Sequence, residues 1–213
     1  MELNKYIDHT YLKAFGTKDV IKKLCEEAIK YNFKSVCVNP YYIPYAKELL
    51  KGSDVLVCTV IGFPLGQNTT ETKVFETKDA LNKGADEIDM VINVAALKDG
   101  LDDYIYNEIK SIKDITGSKT LKVIIETCYL TKEEIVKACE LSVKTNADFV
   151  KTSTGFGTGG ATKEDVKLMK DTVKDKALVK ASGGVQNKEE ALTMIENGAD
   201  RIGTSKGVNI MEE

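Results

Sequence analysis

The sequence predicts an α/β protein, a single-domain (β/α)8 TIM barrel over residues 1–213, with an open doubly wound sheet as the runner-up. Three observations carry this reading. Short runs rich in Val, Ile and Cys recur along the 213 residues, and most are followed by a longer amphipathic stretch. The runs are almost continuously apolar, as suits parallel strands covered on both faces rather than strands with one wet side. One helix-to-strand junction also repeats, as Gly84-Ala85-Asp86, Asn146-Ala147-Asp148 and Gly198-Ala199-Asp200, and no Pro/Ser-rich linker interrupts the series.

Seven strands are expected at residues 35–38, 55–61, 87–92, 121–127, 149–152, 177–181 and 201–204, and residues 6–9 are the candidate for the eighth that closure requires. Helices are expected at 18–31, 43–51, 70–83, 101–116, 131–145, 162–173 and 188–197. Several open on Thr or Asn, whose side chains satisfy free backbone N–H groups, and close near Gly or Asn, which tolerate the left-handed cap. Eight such units in ~200 residues lie at the small end for a barrel of this type. No GxGxxG or Walker motif supports the doubly wound alternative.

Composition narrows the function classes. Thirty basic against 33 acidic residues give a net charge of −3, so bulk charge offers no reason to expect nucleic acid or an anionic membrane as partner. Any phosphate binding has to come from a local site. The five cysteines are odd in number and none forms a CxxC pair, which argues against a disulfide scaffold or a zinc cluster and for a reducing compartment. The start MELNKYIDHT has neither signal nor transit character, and no apolar run approaches the ~20 residues of a span. The expectation is a cytoplasmic protein.

Two lysines inside apolar strands are the main anomaly. Lys151 and Lys180 stand near the ends of consecutive expected strands, in Val150-Lys151-Thr152-Ser153 and Val179-Lys180-Ala181-Ser182. Strands joined by one helix are usually neighbours, so the two ammonium groups can meet at the C-terminal mouth. At ~4 Å and an effective dielectric near 20, a second positive charge costs about 4 kcal/mol, or roughly three pKa units. That is a route to a neutral, Schiff-base-forming amine. Two strand-end lysines reaching into water are the plainer alternative.

Asp89, within Glu87-Ile88-Asp89-Met90-Val91, lies mid-strand where a lone carboxylate is costly to bury. Facing the lysines it could shuttle protons; otherwise it pairs with a structural lysine. Lys122 and Glu126, expected on one face of strand 121–127, either extend the same network or balance each other. Gly183-Gly184-Val185 and Gly203-Thr204-Ser205-Lys206-Gly207 follow the last two strands, where barrels of this type commonly hold phosphate. The Gly-rich loop 154–160 after Lys151 reads as a lid or a linker. His9, the sole histidine, excludes a His-rich metal site and reads as a hydrogen-bonded core residue, and Cys37 as a buried thiol near the site.

The ordered set IDHTYLK (7–13), SVCVNP (35–40), EIDMVINV (87–94), LKVIIET (121–127), VKTSTGFGTGGAT (150–162), VKASGGV (179–185) and RIGTS (201–205) resembles the deoxyribose-phosphate aldolases over nearly the whole chain. The resemblance implies a (β/α)8 barrel without metal or other cofactor. The implied substrate is a small sugar phosphate, 2-deoxy-D-ribose 5-phosphate, cleaved reversibly to acetaldehyde and D-glyceraldehyde 3-phosphate. It implies Lys151 as the Schiff-base lysine, Lys180 as the neighbouring charge that favours its neutral form, and Asp89 as the proton-transfer acid/base. Thr154 would contact a substrate hydroxyl, Gly155, Gly183, Gly184 and Ser205 would hold the phosphate, and Asp8 and Lys122 would belong to the supporting network. Two features depart from the family. Many members have a small or hydroxyl residue at the position of Lys206, and some carry a C-terminal tail ending in Tyr, whereas no Tyr follows Tyr129 here. A homodimer is one open assembly state. The rival readings are a phosphosugar isomerase or transaldolase-like barrel, and a silent phosphosugar-binding protein that forms no imine.

Overall fold

The computed structural model describes residues 2–213. Eight parallel strands pair in chain order and close, β8 returning to β1: β1 (Ile7–Tyr11), β2 (Ser35–Val38), β3 (Leu56–Ile61), β4 (Glu87–Val91), β5 (Thr120–Ile124), β6 (Phe149–Lys151), β7 (Leu178–Ser182) and β8 (Arg201–Thr204). Closure leaves no sheet edge and removes the open-sheet alternative. Around the barrel run α1 (Lys18–Lys30), α2 (Ile43–Leu49), α3 (Thr70–Asn82), α4 (Val94–Lys98), α5 (Asp102–Thr116), α6 (Lys132–Lys144), α7 (Lys163–Val173), α8 (Lys188–Glu196) and α9 (Gly207–Glu212).

The outward faces of the strands form an apolar layer with the helices, in which Val36, Val57, Ile88, Val123, Val150 and Val179 are fully buried. Thr69, Thr162 and Asn187 cap α3, α7 and α8 with their side chains, and Thr131 with Glu134 makes a reciprocal capping box on α6. No described helix is long and apolar enough to cross a membrane.

The repeated Ala-Asp junction does more than end a helix. Asp86, Asp148 and Asp200 each accept the N–H of the second residue of the neighbouring strand: Val57 at 3.0 Å, Leu121 at 2.8 Å and Val179 at 2.9 Å. The same carboxylates accept from Lys47, Lys113 and Lys170 on the helix before that neighbour. Each of β4, β6 and β8 is thereby pinned at its base to the preceding strand and helix.

Three expectations are corrected. β1 begins at Ile7 and runs to Tyr11, beyond the expected 6–9. β5 stops at Ile124 rather than 127, because Glu126 turns into a left-handed conformation (φ 57°) before the 3-10 turn Thr127–Tyr129. Glu126 therefore does not share a strand face with Lys122. The short helices α4 and α9 were not expected, since one to two turns are too brief to display a helical period. A buried ion pair was also missed: Lys73 of α3 donates to Glu108 of α5 at 2.8 Å and to the Val91 carbonyl at 2.8 Å, with both side chains fully buried.

Candidate active site

Alternation along the strands turns a set of charged side chains into the barrel, shielded from bulk solvent. Asp8 of β1, Glu87 and Asp89 of β4, Lys122 of β5, Lys151 of β6, Lys180 of β7 and Arg201 of β8 are all buried. Isolated, such charges would neutralise; here each meets an opposite charge. Lys122 donates to Glu87 at 2.5 Å and to Asp89 Oδ1 at 2.9 Å. Arg201 donates to Asp8 at 2.8 Å and reaches Glu87 at 3.2 Å, beside the Phe149 ring. Lys180 lies 2.5 Å from Asp8 Oδ2 and donates to Asp89 Oδ2 at 2.8 Å. Lys151 donates to that same Asp89 Oδ2 at 2.7 Å. The two lysines on β6 and β7, in register opposite each other, thus share one acceptor oxygen.

Burial by itself would raise the Asp8 and Asp89 carboxyls and lower the Lys122 and Lys180 ammonium groups. The opposite charges win. Against burial, Lys122, Lys151 and Lys180 hold Asp89 well below the usual carboxylate range, and Arg201, Lys180 and Lys122 do the same to Asp8. Against burial, Asp8 and Asp89 hold Lys180 above its ordinary value, and Asp89 with Glu87 and Asp8 does so for Lys122. Lys180 and Lys122 therefore stay protonated as fixed positive charges.

Above this network opens a cavity of about 570 Å³ whose lining includes Lys151, Thr154, Gly155, Gly183, Gly184, Ser205 and Lys206. Asp8, Asp89, Lys122 and Lys180 lie beneath it and do not line it. Gly155, Gly183 and Gly184 have φ between +82° and +84°, a region in which only glycine is unstrained. A Cβ on Gly160 would sit 2.2 Å from the Gly183 carbonyl, so the two Gly-rich loops pack backbone to backbone. The sequence singles out these loop residues from three separate segments, and the structure brings them together with Lys151 on one wall system.

Thr154 is already engaged. Its Oγ1–H donates to the Glu126 carboxylate, and its backbone N–H donates to Glu126 Oε1 at 3.1 Å. An adjoining apolar cavity of about 620 Å³, lined in part by Leu65, Val91, Val94 and Tyr129, shares Thr154 and Phe156 with the first but not Lys151. His9 bonds Glu27 at 2.8 Å through Nε2, on the helix side of β1, away from the lysines. Cys37, Cys58 and Asp89 have potential metal-ligand atoms within 4.8 Å of one another. Since Asp89 already accepts from three ammonium groups and Cys58, a cation would have to displace those bonds. All five cysteines are free thiols.

Sequence reading passed over Arg201 and Cys58 as members of the network and did not settle the place of Glu87. The parity that selects Asp89 also selects Glu87, two residues earlier, and Arg201 stands in register with Lys180. The parity is visible in the sequence; the register is not until the strand pairing is known.

The family model described as "DeoC/LacD family aldolase" matches residues 3–212. The chain is 65% identical over 212 residues to the deoxyribose-phosphate aldolase of Finegoldia magna, covering 100% of both. It is 63% identical to that of Staphylococcus saprophyticus, covering 100% of this chain and 96% of the relative. Among solved structures, deoxyribose phosphate aldolase from Aeropyrum pernix, described as a unique tetramer, matches with a TM-score of 0.92 at 33% identity, over 99% of this chain and 89% of that one.

Proposed function

The chain belongs to the DeoC/LacD family of aldolases, and on that premise we propose that it cleaves 2-deoxy-D-ribose 5-phosphate reversibly to acetaldehyde and D-glyceraldehyde 3-phosphate through a Schiff base on Lys151. The observation that carries the assignment is the shared oxygen of Asp89. It holds Lys151 against Lys180 at a cavity that two glycine-rich loops also line. A fixed ammonium beside an amine favours that amine's neutral, nucleophilic form.

Neutral Lys151 attacks the C1 aldehyde of the open-chain sugar, and loss of water gives the iminium. Asp89, bonded to the Lys151 nitrogen, carries protons at that atom. The iminium then draws the electron pair of the C2–C3 bond as the C3 hydroxyl loses its proton. Glyceraldehyde phosphate leaves, the enamine is protonated at C2, and water releases acetaldehyde. Backbone N–H groups around Gly155, Gly183 and Gly184, with Ser205, receive the phosphate, and the Lys206 ammonium at the same wall adds a positive charge. Phosphate binding remote from the breaking bond orients the aldehyde toward Lys151. Asp8 and Lys122 keep Lys180 and Asp89 in place.

The test is borohydride reduction in the presence of acetaldehyde followed by peptide mass mapping. A two-carbon adduct on Lys151, and loss of adduct and cleavage together in Lys151→Ala, are the expected results. An unmodified Lys151, or a fully active Lys151→Ala, would remove the assignment.

A further inference from the structure

The mouth of the barrel holds two cavities that meet. The one that Lys151 lines is walled by residues at or just after the ends of β1, β6, β7 and β8. The other, of about 620 Å³, is walled by residues at or just after the ends of β3, β4, β5 and β6, and so occupies the opposite half of the mouth. Thr154 and Phe156 belong to both walls. Phe156 sets its ring edge-on to Phe63, with the centroids 5.3 Å apart.

The two halves differ in chemistry. Leu65, Val91, Val94, Ala95 and Phe156 supply most of the wall of the second cavity. The ammonium among its lining residues, on Lys98, is bonded to Glu134 at 2.8 Å, and the Glu126 carboxylate gives both oxygens to Thr154. Gln67 and Tyr129 add only uncharged polar groups. Among the described residues, this half therefore offers a phosphate neither a free cation nor the glycine turns of the other wall. It does offer uncovered apolar surface, since Leu65 is 74% exposed and Phe156 53%. Covering such surface strengthens binding about fourfold for each methylene removed from water.

We propose that the apolar half of the mouth is a second acceptor subsite, through which the protein makes and cleaves unphosphorylated 3-hydroxyaldehydes bearing a straight alkyl chain. This rests on the aldolase reading above. In the condensation, acetaldehyde loses water to Lys151 and a C2 proton to give the enamine. The enamine pair on C2 forms the new bond to the carbonyl carbon of an alkanal such as hexanal. The carbonyl π pair moves to oxygen, and that oxygen takes up a proton. Water then hydrolyses the iminium to 3-hydroxyoctanal and free Lys151. The water lost at the start is returned at the end, and no oxidant or reductant takes part. The alkyl chain lies past Phe156 against Leu65, Val94 and Ala95, and the phosphate wall is not used.

The test is condensation of acetaldehyde with straight-chain aldehydes from propanal to hexanal by the full chain, followed as 3-hydroxyaldehyde formed. The acceptor KM should fall about 2–4-fold with each added methylene. Inorganic phosphate, at a concentration that competes with glyceraldehyde 3-phosphate, should leave hexanal condensation unchanged. Ala95→Phe fills the cavity, and Leu65→Asp places a charge on its exposed rim. Each should raise the hexanal KM about tenfold and flatten the chain-length series, with cleavage of deoxyribose 5-phosphate unchanged. The proposal is overturned by absence of hexanal condensation, by competition between phosphate and hexanal, or by an unaltered series in both variants. Loss of deoxyribose 5-phosphate cleavage in both variants also overturns it. In each case a Lys151 adduct and normal cleavage in the unsubstituted protein leave the aldolase reading standing, whereas their absence removes that reading first.

Discussion

Lys151 differs from the other basic groups of the barrel in the charges it meets. Lys122, Lys180 and Arg201 each face two or more carboxylates, whereas Lys151 faces Asp89 alone and is the one lysine of the set that lines the cavity. Four basic groups meet three carboxylates, and Lys151 is the basic group with a single carboxylate partner. Lys180→Met should lower cleavage at neutral pH by about 10²–10³-fold, since a neighbouring positive charge favours a neutral, nucleophilic amine and the variant lacks it. Activity in that variant should recover as pH rises, and a profile unchanged in shape would separate Lys180 from amine activation. Asp89→Asn should lose the Lys151 adduct as well as turnover, because the amide cannot hold two ammonium groups against each other.

Elements are held by devices that recur. The Asp200 carboxylate joins the Val179 N–H to Lys170, so Asp200→Ala should cost about 1–2 kcal/mol, read as a lowered Tm without loss of specific activity. The Lys73–Glu108 pair behaves differently, because burial pushes Lys73 down and Glu108 up, each toward its neutral form. Removing one partner strands the other: Lys73→Met alone should destabilise by about 3–5 kcal/mol, and Lys73→Met with Glu108→Leu should recover most of that loss in urea denaturation. The Asp junctions were legible because a short motif repeats in the sequence. The Lys73–Glu108 pair was not, since its members are 35 residues apart on two helices and only their packing against β4 joins them.

The whole barrel closes around a charged core, and its stability should depend on pH accordingly. Asp8 and Asp89 are depressed below their ordinary 3.8, so their contribution is present above that pH and is lost as pH falls toward their lower folded values. Lys122 and Lys180 are raised above their ordinary 10.5, so theirs is present below that pH and is lost as pH rises through the raised values. The contribution of this network to the urea midpoint should thus be flat between these limits and fall off outside them, which a comparison with Lys180→Met checks. A midpoint that changes steeply near neutrality would point to another titrating group.

Local sequence determined the alternation of strands and helices, because apolar runs, caps and glycine stops are properties of a few adjacent residues. It also marked Lys151, Lys180 and Asp89 as out of place in apolar strands, since burying a charge is costly whatever the fold. Closure of the sheet, the sharing of one Asp89 oxygen by two lysines, and the turn of Glu126 toward Thr154 were decided only by tertiary structure. Each depends on pairing between segments from 28 residues apart (Glu126 and Thr154) to 195 apart (Ile7 and Ile202), and strand register, not sequence spacing, sets which strand side chains meet.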